Sequence, residues 1–276
     1  MLVSLGNSPK GVTMRKRLTI HDLKQAKGKR QLTEIFTDDG NEARACDAAG
    51  IDMIVTGAHA VRRIRGAAPN VFVTAAIAVN DPNVTTESEA LRAAFEVMAA
   101  GADAVYVGLS PALIRGMTRE GVAVIGHVGY VPYRAGWYGG PRAVGKTAPE
   151  ALKVYRDTMA FEDAGAIAVE MEIVPEKVAT EISKRTAMSV ISMGSGSGCD
   201  AQYLFAEDVL GTNTNHVPRH AKVYGNLSAE LERVQALRVE AMKAFQKDVS
   251  TGGYPEAKHN LKVNEEEFTA FLNAIA

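Results

Sequence analysis

Cysteine is scarce: the 276 residues contain two, Cys46 and Cys199. They lie far apart and neither belongs to a CxxC or CxxH pair, which excludes zinc-finger and dithiol redox chemistry and suits a reducing compartment. Charge of one sign is also lacking. Thirty-one Lys+Arg against 32 Asp+Glu leave a net charge of -1, so there is no electrostatic footprint for nucleic acid or an anionic membrane surface. No apolar run approaches the roughly 20 residues that cross a bilayer. Met1 to Arg17 lacks the apolar region of a signal peptide. These absences lead to the expectation of a cytoplasmic protein with no nucleic-acid and no membrane partner.

What is present is a rhythm. Short β-rich runs alternate with Ala-rich helical runs, the pattern of repeated βα units around a parallel sheet. Ala49-Gly50-Ile51-Asp52, Ala100-Gly101-Ala102-Asp103 and Ala164-Gly165-Ala166-Ile167 each place a Gly C-cap just before a strand. The spacing predicts strands over 32–37, 52–57, 71–79, 104–108, 123–127, 167–171, 189–193 and 209–212. Eight such strands in a chain near the usual size of about 250 residues predict a single (β/α)8 TIM barrel. Helices are predicted over 40–48, 86–99, 149–163, 176–184 and 228–249, with Thr86 and Ser228 as N-caps. Residues 251–276 form a C-terminal helical extension whose last amphipathic helix, around 265–275, needs an apolar partner. The Gly- and aromatic-rich stretch 128–148, which holds the only Trp, Trp137, is expected to be a lid or binding loop.

In such barrels the working residues sit at the C-terminal strand ends. Read there, the chain offers Asp38, Asp39, His59, Asp81, Tyr106, His127, Glu172, Asp200 and His216. Neighbouring strands run about 4.8 Å apart, so His127 and Glu172 should face one mouth. The apolar frame of Glu172 would desolvate its carboxylate and fit it for a general base, although a Glu at a strand end also serves as a helix partner. His127 is open to a purely structural reading as well. The Gly194-Ser195-Gly196-Ser197-Gly198 run could dock a phosphate or carboxylate, or be a tight turn ending in Asp200 as a helix N-cap. Arg134, Arg142 and Lys146 could clamp an anion or simply be solvated.

Several motifs resemble one family in collinear order. Gly126-His127-Val128-Gly129-Tyr130-Val131-Pro132 looks like GHxGxxP, Trp137-Tyr138-Gly139-Gly140 with Gly145-Lys146 like FGG and the loop after it, and Glu172-Ile173-Val174-Pro175 like ExVP. Gly194-Ser195-Gly196 with Cys199-Asp200-Ala201-Gln202 resembles GxGAGxxxDGQ. His216-Val217-Pro218-Arg219-His220-Ala221-Lys222 resembles HxPKFAK, and Gly253-Tyr254-Pro255 with His259 resembles GxYPxxxH. These are motifs of ketopantoate hydroxymethyltransferase, in the phosphoenolpyruvate mutase and isocitrate lyase superfamily. The resemblance implies an enzyme that adds a hydroxymethyl group beside the keto group of 3-methyl-2-oxobutanoate, or of an analogous small 2-oxo acid, through an enolate on the route to pantothenate. It implies methylenetetrahydrofolate as cosubstrate, Mg2+ as the family's usual metal and a homo-oligomeric assembly.

By this resemblance Glu172 and His127 are expected catalytic residues; Tyr106, where the family has a lysine, is the third expected catalytic residue, and Gly57, His59, Trp137, Gly194 and Ser195 are the expected substrate contacts. The family's metal motifs depart here: GDSLG becomes Gly57-Ala58-His59-Ala60, ADLP becomes Thr74-Ala75-Ala76-Ile77, and KxEGG becomes Tyr106-Val107-Gly108-Leu109-Ser110. The expectation is therefore a site without the usual ligands, in which Tyr106 and His59 donate hydrogen bonds to the enolate oxygen. A rebuilt metal site would draw on His59 and Asp81. The alternatives are an aldol-type lyase acting on another oxo or hydroxy acid, and a non-catalytic barrel that only binds such a ligand.

Overall fold

A computed structural model describes residues 16–77 and 84–276; Asp81 lies outside the described residues. Eight parallel strands close into a barrel: β1 (Leu32–Phe36), β2 (Met53–Gly57), β3 (Phe72–Ile77), β4 (Ala104–Val107), β5 (Val124–Gly129), β6 (Ala168–Glu172), β7 (Ser189–Met193) and β8 (Ala201–Phe205). Closure comes from β1 pairing with β8, Leu32 opposite Ala201 through Phe36 opposite Phe205. The predicted (β/α)8 class is the observed one, with seven strands within a few residues of their expected positions.

Around the strands run α2 (Gly40–Ala49), α3 (Val61–Ala67), α4 (Glu87–Ala100), α5 (Pro111–Arg119), α6 (Ala148–Asp163) and α7 (Glu176–Ser183), with the short α8 (Ala206–Leu210) after β8. Before β1, α1 (Ile20–Ala26) brings Leu23 against Leu32, Met53 and Phe72, closing the N-terminal end of the barrel with apolar side chains. Thr86 caps α4 as expected, in a reciprocal capping box with Glu89. Gly50, Gly101 and Gly165 all have positive φ where helices turn back to strands. Alternation sorts each strand into two faces: Leu32, Phe72, Ile125 and Ile191 point inward, while Val73, Val105, Val169 and Val190 pack under the helices. Burial pushes the Cys46 thiol up to about 11 and Cys199 up to about 12, so neither is a ready thiolate.

The eighth strand corrects the sequence expectation. Residues 209–212 end a short helix that stops at the left-handed Gly211, and the strand is the earlier Ala201-Gln202-Tyr203-Leu204-Phe205. Asp200 is accordingly no helix cap: its carboxylate accepts from the Val190 amide at 2.9 Å, from the Ser183 hydroxyl at 3.0 Å and from Lys27 Nζ at 2.6 Å. No helix joins β7 to β8. The Gly194–Gly198 run instead packs tightly along α7, where a Cβ on Gly198 would lie 1.8 Å from Thr180 Oγ1 and one on Gly196 2.4 Å from Glu176 Cγ. Close approach is why this return is glycine-rich. The N-cap of α9 (Leu227–Thr251) is Asn226, two residues before the expected Ser228.

Gly129, at the end of β5, has φ +88°, and a Cβ there would sit 2.4 Å from the backbone oxygen of Glu172. A backbone atom in a strand cannot yield as a side-chain tip does. Gly129→Ala is expected to cost about 3 kcal/mol, from left-handed strain plus overpacking, read as a lowered urea midpoint.

Residues 225–276 form a second compact unit. It comprises α9, a 3-10 turn (Ala257–His259) and α10 (Glu265–Ile275). Within it Tyr254 packs between Phe245 and His259, with ring centroids 5.6 and 5.3 Å apart. Among the described residues no helix is long and apolar enough to cross a membrane.

Candidate active site

Residues two apart on a strand share a face, so β6 points both Glu170 and Glu172 toward the barrel axis. Glu170 pairs in register with His127 of β5, and Glu172 with Gly129. The imidazole therefore lies between two carboxyls: Nε2 is 3.1 Å from Glu172 Oε2 and Nδ1 is 3.7 Å from Glu170 Oε2. From β4, the Tyr106 hydroxyl reaches Nδ1 at 2.6 Å. Nε2 also meets the backbone oxygen of Tyr130 at 2.7 Å. A carbonyl only accepts, so Nε2 carries a hydrogen, and on the neutral ring Nδ1 is the acceptor of the Tyr106 O–H.

The three residues expected to be catalytic thus meet at the C-terminal mouth, Tyr106 hydrogen-bonded to His127 and the Glu172 carboxyl 3.1 Å from its other ring nitrogen. His127 and Glu172 side chains are 5% and 10% exposed. Burial, then the neighbouring Glu170 and Glu172, holds the Tyr106 hydroxyl far above the ordinary tyrosine range. It is a neutral donor. A small cavity of about 130 Å³ opens beside His127 and is lined by Gly108, Ser110, Tyr133 and Arg134. Arg134 also lies 5.4 Å from the Tyr133 ring centroid.

The expected substrate contacts are placed differently. The Gly57 amide donates to Asp38 Oδ1 at 2.7 Å, and the Thr56 hydroxyl donates to the same oxygen at 2.7 Å. His59 is 72% exposed, with Nε2 3.5 Å from Asp38 Oδ2, and does not join the Tyr106–His127–Glu172 cluster. Ser195 is buried and fully engaged: its hydroxyl donates to Met171 O at 2.8 Å and accepts from the Val174 amide at 2.9 Å. It fastens the β6 and β7 ends together. Gly194 makes room for the His220 ring, 2.8 Å from where its Cβ would be. Trp137, on a 3-10 segment (Pro132–Tyr138), is 89% exposed and projects into solvent. In the same loop Arg142 is committed to Glu150 at 2.6 Å.

Deeper in the barrel lie residues that the sequence reading passed over. Glu34 on β1 and Glu170 on β6 are 1% and 2% exposed. Both Glu34 carboxyl oxygens, Glu170 Oε1 and the Thr74 hydroxyl have no hydrogen-bond partner. Burial raises the Glu34 carboxyl to about 8, and burial together with Glu34 and Glu172 raises Glu170 well above the carboxylate range. The signal was available: a Glu in the middle of Leu32-Thr33-Glu34-Ile35-Phe36 shares the inward face with Leu32, and Glu170 shares one with Glu172.

The donor set also bears on a metal. At the places where the resemblance puts carboxylate ligands, this chain has Ala58, Ala75 and Gly108, which offer no side-chain oxygen or nitrogen. Asp38, the nearest carboxylate at the β2 mouth, is already held by Thr56 and Gly57. The described residues do not fit the hard-cation ligand set of Mg2+.

A parallel eightfold barrel that brings a carboxyl, an imidazole and a phenol together at the C-terminal ends of its strands, with a small cavity beside the imidazole, has the layout of barrel enzymes that work on small polar substrates. The model of the family described as ketopantoate hydroxymethyltransferase matches residues 57–257. A 3-methyl-2-oxobutanoate hydroxymethyltransferase 1 of Methylibium petroleiphilum is 34% identical over 82% of this chain and 74% of its own. A 3-methyl-2-oxobutanoate hydroxymethyltransferase of a Geobacillus species is 33% identical over 84% of this chain and 89% of its own. The chain belongs to the ketopantoate hydroxymethyltransferase family. Among solved structures, 2,3-dimethylmalate lyase, a member of the phosphoenolpyruvate mutase and isocitrate lyase superfamily, superposes with a TM-score of 0.50 at 14% identity, over 94% of this chain and 100% of its own. Phosphonopyruvate hydrolase does so with the same score and identity, over 94% and 98%. These two likenesses are likenesses of fold.

Proposed function

We propose that this chain transfers a hydroxymethyl group from methylenetetrahydrofolate to the carbon beside the keto group of a small 2-oxo acid, with 3-methyl-2-oxobutanoate as the reference substrate. The observation that carries the reading is the cluster of Glu172, His127 and Tyr106 at the barrel mouth. The Glu172 carboxylate takes the proton from the substrate carbon. The Tyr106 hydroxyl donates to the oxygen on which negative charge develops, in a site dry enough for one neutral donor to matter. Arg134, which lines the same cavity as His127, is the cation for the substrate carboxylate. The enol carbon then forms the new bond to the one-carbon carbon of the donor, whose two C–N bonds break; one water supplies the hydroxyl oxygen and one proton, Glu172 returns the proton it took, and tetrahydrofolate leaves with both protons on its nitrogens. Exposed apolar side chains of the second unit, including Met242, Phe245, Phe271 and Ile275, support a homo-oligomer.

No step is assigned to a metal, because the donor set of the described residues does not fit one. The test is C3–H exchange of 3-methyl-2-oxobutanoate in D2O, followed by proton NMR, with protein stripped by EDTA and no folate present. Exchange is expected to persist within about twofold of the untreated rate. Adding methylenetetrahydrofolate should then yield the hydroxymethylated acid. Loss of exchange on chelation with rescue by Mg2+ would overturn the metal-independent route, and no exchange with any 2-oxo acid would overturn the enzyme reading.

A further inference from the structure

We propose that Glu170, with Glu34 behind it, is an internal proton store that loads His127 and thereby turns the Tyr106 hydroxyl toward the substrate. The inference rests on the reading of Glu172 as base, and deepens it.

The resting hydrogen bonds pose a chemical problem. His127 Nε2 must bear a hydrogen, because it faces the Tyr130 carbonyl at 2.7 Å. Nδ1 of the neutral ring is then a lone pair, and the Tyr106 hydroxyl 2.6 Å away gives its hydrogen to it. In that state Tyr106 cannot donate to a substrate oxygen. A proton placed on Nδ1 reverses the bond: Nδ1–H donates to the phenol oxygen, and the Tyr106 hydrogen is released to point elsewhere.

The acid beside Nδ1 is Glu170, with Oε2 3.7 Å away. The groups that face Glu170 are His127 from β5, Tyr106 from β4, Glu34 from β1, Tyr203 from β8 and Glu172 from its own strand. Among the described residues no lysine or arginine pairs with Glu34 or Glu170. A dry carboxyl pair without a cation is held in the neutral form by desolvation and mutual repulsion. Packing does not require the pair, since the inward neighbours Met53, Phe72 and Ile191 fill their positions with apolar side chains.

The protons balance. Glu170 passes one to Nδ1 and becomes a carboxylate beside an imidazolium. Tyr106 gives its hydrogen to the substrate oxygen and recovers one from Nδ1, while Glu172 takes the hydrogen from carbon. Enolisation leaves Glu170 ionised and Glu172 protonated, and re-forming the carbonyl after the carbon–carbon bond closes returns the oxygen's proton along the same path. Glu34 and Glu170 touch no substrate and act through His127.

Glu170→Gln keeps shape and hydrogen-bonding capacity but has no proton to give. It is expected to lower kcat for C3–H exchange about 100-fold, with KM within about threefold, and an unchanged kcat would overturn the proposal. A measurement that needs no turnover stands beside it: the infrared spectrum of the resting protein at neutral pH should show a protonated-carboxyl C=O band that shifts in H2O/D2O exchange. That band should lose intensity in Glu170→Gln and in Glu34→Gln. Absence of the band overturns the store even if exchange is fast. If the band is present but no 2-oxo acid exchanges, the store stands and the enzyme reading fails. If neither glutamine variant folds, the wild-type band and its change with pH decide alone.

Discussion

Glu172→Gln is expected to lower the rate of C3–H exchange on 3-methyl-2-oxobutanoate by about 10³-fold while leaving binding of the acid nearly unchanged. The wild-type carboxyl lies 3.1 Å from His127 Nε2, whose N–H is given to the Tyr130 carbonyl, and glutamine has nearly the same shape as glutamate, so the cluster keeps its geometry. What disappears is the ability to take a proton from carbon, a step for which a positioned base supplies roughly 10² to 10⁴. Isothermal titration of the 2-oxo acid against both proteins separates the cases. A rate that falls with affinity held marks an interaction made in the transition state. A barrel that only binds its ligand would show affinity in both proteins and no rate to lose in either.

The cluster was legible because barrel geometry restricts where chemistry occurs, and His127, Tyr106 and Glu172 occupy such positions in their strands. Seven strands were legible for a related reason: each is a short apolar run bounded by helix ends and turns. β8 was not. Its residues Ala201–Phe205 follow the glycine-rich return without the usual crossover helix, so the rhythm of the chain placed the last strand one element too late. The short helices α1, α3 and α5 were passed over because seven to nine residues give few turns of periodicity to read. Gly57 and Ser195 looked like substrate contacts by motif position. Their commitments to Asp38 and to the β6–β7 ends are tertiary facts that no local pattern carries. Glu34 and Glu170 are the instructive omission, since period-two alternation placed both inside the barrel, but a charged residue in an apolar strand invites the assumption that it faces out.

Glu34→Met is expected to stabilise the protein, and by more at pH 8.5 than at pH 5. Methionine is about as long as glutamate and flexible enough to fill the space the carboxyl leaves, and it removes two buried oxygens that have no partner. The sign follows from the raised acidity constant. In the unfolded chain this carboxyl ionises near its ordinary 4.5, whereas in the folded barrel burial holds it protonated up to about 8. Between those values the folded state binds the extra proton, so wild-type stability falls as pH rises from about 4.5 and levels off above about 8. At roughly 1.4 kcal/mol per pH unit the loss is on the order of 3 to 5 kcal/mol. The variant has no such group and should not show that slope. Urea midpoints at pH 5.0 and 8.5 measure it, and a gap between the two proteins that fails to widen with pH would mean that Glu34 is not buried as a neutral acid. A chain that keeps this carboxyl despite its cost at neutral pH is trading stability for something, and Glu34→Met should reveal what: the stabilised variant is expected to exchange C3–H more slowly than wild type, because the proton held beneath His127 has lost one of its two sites.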